Sequence, residues 1–246
     1  MPTVEPYYFG VDLAQAEDYT TVAGLDREAI VDDEGRPALD GQRRPLHRYY
    51  CAGLERYERN LSYPALVERI GATIRLPAVQ SRGLPRVGVD STGVGRAATD
   101  ELIAAKLPAT VIPITITAGM GVVAERWNKT GPMGYKVAKT ALIGALLVAL
   151  ETGRLKFAPG LKLVPALEAE LRDFRVKITA AANQTYGAKS GQHDDLVIAV
   201  ALACWVAENA LPAPGASASA PRRLPTVGYA PASRWGWHGG GHGRIS

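Results

Sequence analysis

Cysteine is scarce in this chain: Cys51 and Cys204 are the only two among 246 residues. That count excludes a zinc site built on cysteine thiolates. Both sit in apolar stretches, one strand-like and one helix-like, and read as buried free thiols of a reducing compartment. Long apolar runs are also missing. The two longest, 141–150 and 196–207, fall short of the roughly 18 residues a membrane span needs, so they read as core helices and no membrane is expected as a partner. The opening "MPTVEPYYFGVDLA" is strand-like and carries no basic leading stretch, so no secretory leader is expected. No G-x-x-x-x-G-K-[ST] phosphate loop occurs. The nearest approach, "YGAKSG" at 186–191, lacks the first glycine and the spacing, so ATP hydrolysis is not expected.

Acid is absent after Ala210, where Arg222, Arg223, Arg234 and Arg244 are the only charged side chains. Those four account for the whole formal charge of +4, leaving residues 1–210 with 24 basic and 24 acidic side chains. The overall charge is therefore no argument for nucleic-acid binding by the folded part. Within it the charge is uneven: residues 125–189 hold 11 Lys/Arg against 5 Asp/Glu, whereas residues 1–124 hold 13 against 16. Solvated helix faces would explain this, and so would a basic surface beside an acidic site.

A hydrophobic content of 47% with 21% charged residues suits a soluble globular chain. Two β-rich runs, 6–14 and 19–26, predict a hairpin, and 46–57 a third strand after the polar loop 30–45. Helical spacing follows at 62–76, entered through Ser62 and Pro64. "RVGVD" (86–90) reads as a short buried strand, 95–107 as a helix and 109–117 as another strand. A long helix is predicted over 132–153, a further one over 162–174, a hairpin over 175–187, and a closing helix from "HDDLVIAVALACW". Three antiparallel strands running on into β-α-β-α units predict an α/β fold of the ribonuclease H-like type: a mixed sheet of five or more strands with helices on both faces. From 211 to 246 the chain turns to Pro, Gly, Ala and Ser, which bury too little to offset ordering entropy. This predicts a disordered tail behind a folded domain of residues 1–210; its glycine-spaced His238 and His242 are a weak metal signal.

Candidate chemistry rests on aspartates. Asp194 and Asp195 are adjacent like charges at the mouth of an otherwise apolar helix. Helix capping accounts for one acid there more easily than for two. Asp12 lies on the first strand between Val11 and Leu13, and Asp90 ends the fourth strand before "STGVG". In a mixed sheet of this order the first and fourth strands are neighbours, and the closing helix brings Asp194 and Asp195 over the same edge. Carboxylates gathered this way repel one another, and divalent cations resolve the conflict. Two such ions, Mg²⁺ or Mn²⁺, would clamp an in-line phosphoryl displacement. Asp18, His193 and Glu170 are secondary candidates. Lys129, Lys136, Lys139, Arg172, Arg175, Lys177 and Lys189 are the candidate DNA-phosphate contacts, with little base-specific readout expected.

The segments "GVDLAQAEDYTTVAGLD", "VGVDSTGVGRAATDEL" and "GQHDDLVIAVALA", in that order, resemble the nuclease domain of the large terminase subunit of tailed bacteriophages. "RYYCAGLERYERNLSYPALVERI" and "KVAKTALIGALLVALETGRLKFAP" extend the resemblance over roughly residues 7–207. It implies a ribonuclease H-like, metal-dependent endonuclease that cuts double-stranded DNA during genome packaging in the bacterial host cytoplasm. Its metal ligands would be Asp12, Asp90 and the Asp194/Asp195 pair, with no organic cofactor. An ATPase motor domain, a portal and a small terminase subunit would be its partners. Which of Asp194 and Asp195 is the main ligand stays open, since adjacent helical residues point about 100° apart. A Holliday-junction resolvase-like nuclease, an actin-like or sugar-kinase ATPase lobe, and a non-catalytic docking module are the competing readings.

Overall fold

The first strand has neighbours on both sides because it carries no charge until its last residue. β1 (Tyr8–Asp12) is buried along its length except at that end. In the computed structural model it pairs antiparallel with β2 (Thr21–Ala29) and parallel with β4 (Arg86–Asp90). The structure describes residues 5–13, 19–41, 43–93, 95–118, 121–128, 130–180 and 194–209, with side chains of α5 described up to Phe174. The remaining strands are β3 (His47–Arg56), β5 (Thr110–Thr117), β6 (Val122–Arg126), β7 (Met133–Ala138) and β8 (Leu155–Phe157). They complete an eight-stranded mixed sheet in the order β6-β7-β5-β4-β1-β2-β3-β8.

Helices cover both faces, and each face has its own core. On one side α1 (Tyr63–Ile74), the single turn α2 (Pro77–Gln80) and α3 (Gly95–Ala104) pack Leu66, Ile70, Ile74, Val79 and Leu102 against Phe9, Val11, Val87 and Val89. Ser62 caps α1 by accepting the Ala65 N–H, with Pro64 in the first turn as the sequence predicts. On the other side lie α4 (Lys139–Glu151), α5 (Val164–Ala180) and α6 (Asp195–Asn209).

α6 is the centre of this second layer: every residue from Asp195 to Ala207 is buried. A helix apolar all round needs partners all round, and α6 has the sheet beneath it and α4 and α5 beside it. Each of its Leu, Val and Ile side chains contributes about 2 kcal/mol by leaving water. Two glycines let it approach the strands. A Cβ on Gly10 of β1 would meet Ala199 O at 2.0 Å and Ala203 N at 2.5 Å, and one on Gly88 of β4 would meet Val206 Cγ2 at 2.6 Å. Backbone of α6 therefore rests directly on backbone of β1, and this contact fixes where the N-terminus of α6 points.

The expected α/β architecture holds, with two corrections. The long helix predicted over 132–153 is a strand followed by a helix: β7 continues to Ala138 and α4 starts at Lys139. Gly134 lets β7 pass close to β5 there: a Cβ on it would lie 2.7 Å from the Pro113 carbonyl oxygen. The hairpin predicted over 175–187 is replaced, through Ala180, by the continuation of α5; the rest of that stretch, like the tail 211–246, lies outside the described residues. β6 and β8 are additional strands that pattern reading did not assign. Among the described residues no helix is long and apolar enough to cross a membrane.

Candidate metal centre

Six elements (β1, β3, β4, α4, α5 and α6) deliver charged side chains to one edge of the sheet, the edge at the C-terminal ends of the parallel strands β1, β4, β5 and β7. Asp12 ends β1 and Asp90 ends β4. The parallel register pairs Val11 with Val89, so the two aspartates stand one step further along on adjacent strands. Asp90 is held by its own turn: Oδ1 accepts the Thr92 N–H at 2.8 Å, and Thr92 Oγ1 in turn accepts the Ile116 N–H of β5 at 2.9 Å. The Asx turn is thus real, and it orients the carboxylate at the strand end. Gly93, at φ +56°, completes the bend with a conformation that suits glycine. Asp12 is half-buried, and burial and neighbouring charges, with no hydrogen bond from a described group among them, set its electrostatics.

The third contribution is the N-terminus of α6, and here the structure separates the two adjacent acids. Asp194 is the N-cap residue, its carbonyl accepting the Ile198 N–H at 2.9 Å. Its side chain does not cap; Oδ2 instead accepts Lys139 Nζ at 2.9 Å. Asp195 is buried and fully engaged. It takes Thr21 Oγ1 at 2.5 Å and, in fork geometry, Arg56 Nε at 2.7 Å and Nη2 at 2.9 Å. The cap comes from another helix. Glu170 Oε2 on α5 accepts the backbone N–H groups of Leu196 at 3.1 Å and Val197 at 3.2 Å, while its Oε1 accepts from Arg56 Nη2. Arg56 therefore ties β3 to α5 and α6, a buried bidentate arrangement of the type guanidinium suits.

Electrostatics mark Asp12 as the most stressed group of the cluster. Burial pushes its carboxyl well above the ordinary aspartate range, and the charges of Asp90, Asp194 and Asp195 add to that, with Lys139 opposing. Asp90 is raised too, by burial first, against the Thr92 hydrogen bonds and Lys139, with Asp194 adding to the rise. Glu170 is pushed up to about 7, by burial and then by the Asp195 charge, with Arg56 opposing. When ionised, five carboxylates (Asp12, Asp90, Asp194, Asp195, Glu170) face two cations, Lys139 and Arg56. A like-charge contact near 5 Å costs about 3 kcal/mol at an effective dielectric of ~20, which is ample to favour uptake of protons or cations.

Asp12, Asp90 and Asp194 form an all-oxygen donor set, the kind hard cations such as Mg²⁺ and Mn²⁺ take. Asp12 has no described hydrogen-bond donor, and the chemistry of the three carboxylates, though not their present placement, suits a divalent ion. Among the described residues no group of three or more His, Cys, Asp or Glu side chains is placed so that it could hold a metal ion; the Asp194 side chain is paired with Lys139.

The basic residues divide. Lys139 pairs with Asp194 at 2.9 Å. Lys136 pairs with Glu125 at 2.8 Å on the β6–β7 hairpin, and Arg172 faces Glu168 at 3.7 Å on exposed α5. Arg175 and Lys177 fall in α5 where side chains are not described, and Lys129, Lys189, Asp18 and His193 lie outside the described residues. Arg56 was not among the sequence candidates. Its only sequence signal is an arginine at the end of a strand, and its partners are 114 and 139 residues away.

No family model matches the chain, and no curated protein matches it in sequence. Solved structures do match in shape. The human cytomegalovirus terminase nuclease domain superposes with a TM-score of 0.50 at 15% identity, over 84% of this chain and 85% of that one. The large terminase nuclease of a thermophilic phage, solved with bound zinc, gives 0.44 at 22% identity over 81% and 80% of the two chains. The large terminase nuclease domain of bacteriophage SPP1, with bound Mn, gives 0.41 at 12% over 81% and 85%. With strand order, helices on both faces and acidic strand ends already in place, the chain has the ribonuclease H-like fold of the terminase nuclease domains.

Proposed function

We propose that this chain is a divalent-metal-dependent endonuclease that hydrolyses phosphodiester bonds of double-stranded DNA, with Asp12, Asp90 and Asp194 as its metal ligands. The observation that carries the reading is Asp12: a carboxylate at the end of the central strand, without a described hydrogen-bond donor, pressed by the charges of Asp90, Asp194 and Asp195. Such a group is a liability to a fold unless it binds something positive.

Two ions, Mg²⁺ or Mn²⁺, would supply an activated water and neutralise charge on the phosphate. The chain's own residues do the positioning. Asp90 is set by the Thr92 turn, and Asp194 is set by a helix whose first turn Glu170 caps and Arg56 anchors. Asp195, held in the fork of Arg56, is a positioning residue in this reading and not a ligand. The chain carries no G-x-x-x-x-G-K-[ST] loop, so in a genome-packaging role the ATP-driven movement of DNA would come from a motor domain, working with a portal and a small terminase subunit.

The test is supercoiled plasmid incubated with the protein and Mn²⁺ or Mg²⁺, with an EDTA control and without ATP. Nicked and linear products that need the metal and are lost in Asp12→Asn and Asp90→Asn are expected. Intact plasmid across a metal titration, or cleavage by Asp12→Asn at the wild-type rate, rejects the reading.

A further inference from the structure

Lys139 opens α4, directly after β7. That is a poor place for a lysine: the N-terminal end of a helix carries partial positive charge, which repels a cation there. α4 does nothing to compensate within itself, having neither a side-chain cap at Ala138 nor an acid in its first turn. The compensation comes from the carboxylates. Nζ lies 2.9 Å from Asp194 Oδ2, and its positive charge also acts on Asp12 and Asp90. The ring of Phe174 on α5, 5.3 Å from Nζ, supports it from another side. Water reaches the pair, since the Lys139 and Asp194 side chains are 24% and 29% exposed. A partly solvated pair of this kind opens far more cheaply than a buried one.

We propose that Lys139 is a tethered counter-cation that holds Asp194 in the metal-free protein and must release it before a divalent ion can bind. The inference rests on the metal-dependent reading above. It follows from valence and position: an ion coordinated by Asp12, Asp90 and Asp194 would share its carboxylates with an ammonium already bound to one of them, and the two positive charges repel. The lysine thus keeps the cluster assembled without metal and weakens metal binding at the same time.

The test is Mn²⁺ titration of the full chain by calorimetry, together with metal-free melting curves, for wild type, Lys139→Gln and Lys139→Arg. Lys139→Gln is expected to melt lower in EDTA yet bind Mn²⁺ about tenfold more tightly; Lys139→Arg, which keeps the charge, should stay near the wild-type midpoint. A Lys139→Gln midpoint equal to or weaker than wild type overturns the lysine's role while leaving the metal reading intact. A wild type that binds no Mn²⁺ overturns the metal reading, and this inference with it. Should Lys139→Gln not fold, amine-reactive footprinting of the wild type decides. Labelling of Lys139 should rise several-fold on adding Mg²⁺, and unchanged labelling with Mg²⁺ bound rejects the proposal.

Discussion

The carboxylate of Glu170, on α5, accepts the backbone N–H of Leu196, on α6, at 3.1 Å. An acid 26 residues upstream thus does the capping that either of the two aspartates at the helix mouth might have done locally. Asp194 is thereby left free of capping, and its carboxylate pairs with Lys139 while its charge acts on Asp12 and Asp90. Glu170→Ala should therefore destabilise the protein by about 1–2 kcal/mol, the usual worth of a cap, and lower plasmid cleavage by loosening the helix that carries Asp194. Glu170→Gln keeps an acceptor oxygen and should recover most of both. Urea unfolding and nicking rates on the three proteins measure it; equal losses in the Gln and Ala variants would refute a capping role.

Contact between α6 and β1 gives a second prediction. Gly10→Ala places a methyl group 2.0 Å from the Ala199 carbonyl oxygen, so the helix must shift. We expect a loss of about 3 kcal/mol, at the upper end of overpacking costs, with cleavage falling further than the remaining folded fraction explains. Gly144→Ala is the control. It lies inside α4, where an added Cβ meets nothing within 4 Å, and should stabilise by up to about 1 kcal/mol. Melting temperatures moving in opposite directions are the expected result.

The pH dependence of stability follows from the cluster. Asp12, Asp90 and Glu170 all have folded-state carboxyls raised above their ordinary values, Glu170 to about 7. The native protein then holds protons that the unfolded chain has released, so their stabilising contribution is full below the unfolded pKa and is lost as pH rises through the folded one. His47 works the other way. Burial depresses it to about 4, so it costs stability as pH falls from about 6.5 towards 4. Above pH ~6.5 it is neutral in both states, and the carboxylates alone set the slope. Metal-free protein should lose stability between pH 6.5 and 8, and Mn²⁺ should flatten or reverse that loss. A urea midpoint that climbs over this range in EDTA would contradict the assignment.

Much of the placement of the candidate aspartates was legible because it is local. "RVGVD" predicts a buried strand ending in an acid, and the structure has β4 at those residues with Asp90 last. Asp12 stood out as an acid between buried Val11 and Leu13, and adjacency of the two strands followed from element order. Long-range partners were not legible. Nothing in the local pattern links Arg56 to Asp195 or Glu170 to Leu196, because side-chain pairing across more than a hundred residues leaves no periodicity. The strand–helix junction at Ala138 was hidden for a different reason: the Ala138–Lys139 boundary within "YKVAKTALIGALLVAL" has no Pro, no Gly and no side-chain cap to mark it. At 175–180 the β-branched Val176, Ile178 and Thr179 suggested a strand, and the run of α5 overrode that preference.

The adjacent aspartates yield the most discriminating prediction. Removing charge from a crowded, metal-free cluster relieves repulsion, so Asp12→Asn should abolish cleavage while raising stability in EDTA by about 1 kcal/mol. Mn²⁺ should then stabilise wild type more than the variant, because binding to the native state alone stabilises by mass action. Asp194→Asn should behave similarly in metal response, with its gain in EDTA reduced by the lost ion pair to Lys139. Asp195→Asn should behave in the opposite way. It breaks a buried fork with Arg56 and leaves that guanidinium with Glu170 as its remaining described carboxylate partner, so it should melt lower with or without metal, by roughly 3 kcal/mol for a buried pair deprived of one member. Its Mn²⁺ midpoint should stay close to wild type in whatever fraction remains folded. Melting curves in EDTA and in Mn²⁺, read beside calorimetric Mn²⁺ midpoints, separate the two positions. If Asp195→Asn loses metal binding while Asp194→Asn keeps it, the ligand is Asp195, and Arg56 holds a metal ligand in place of a helix end.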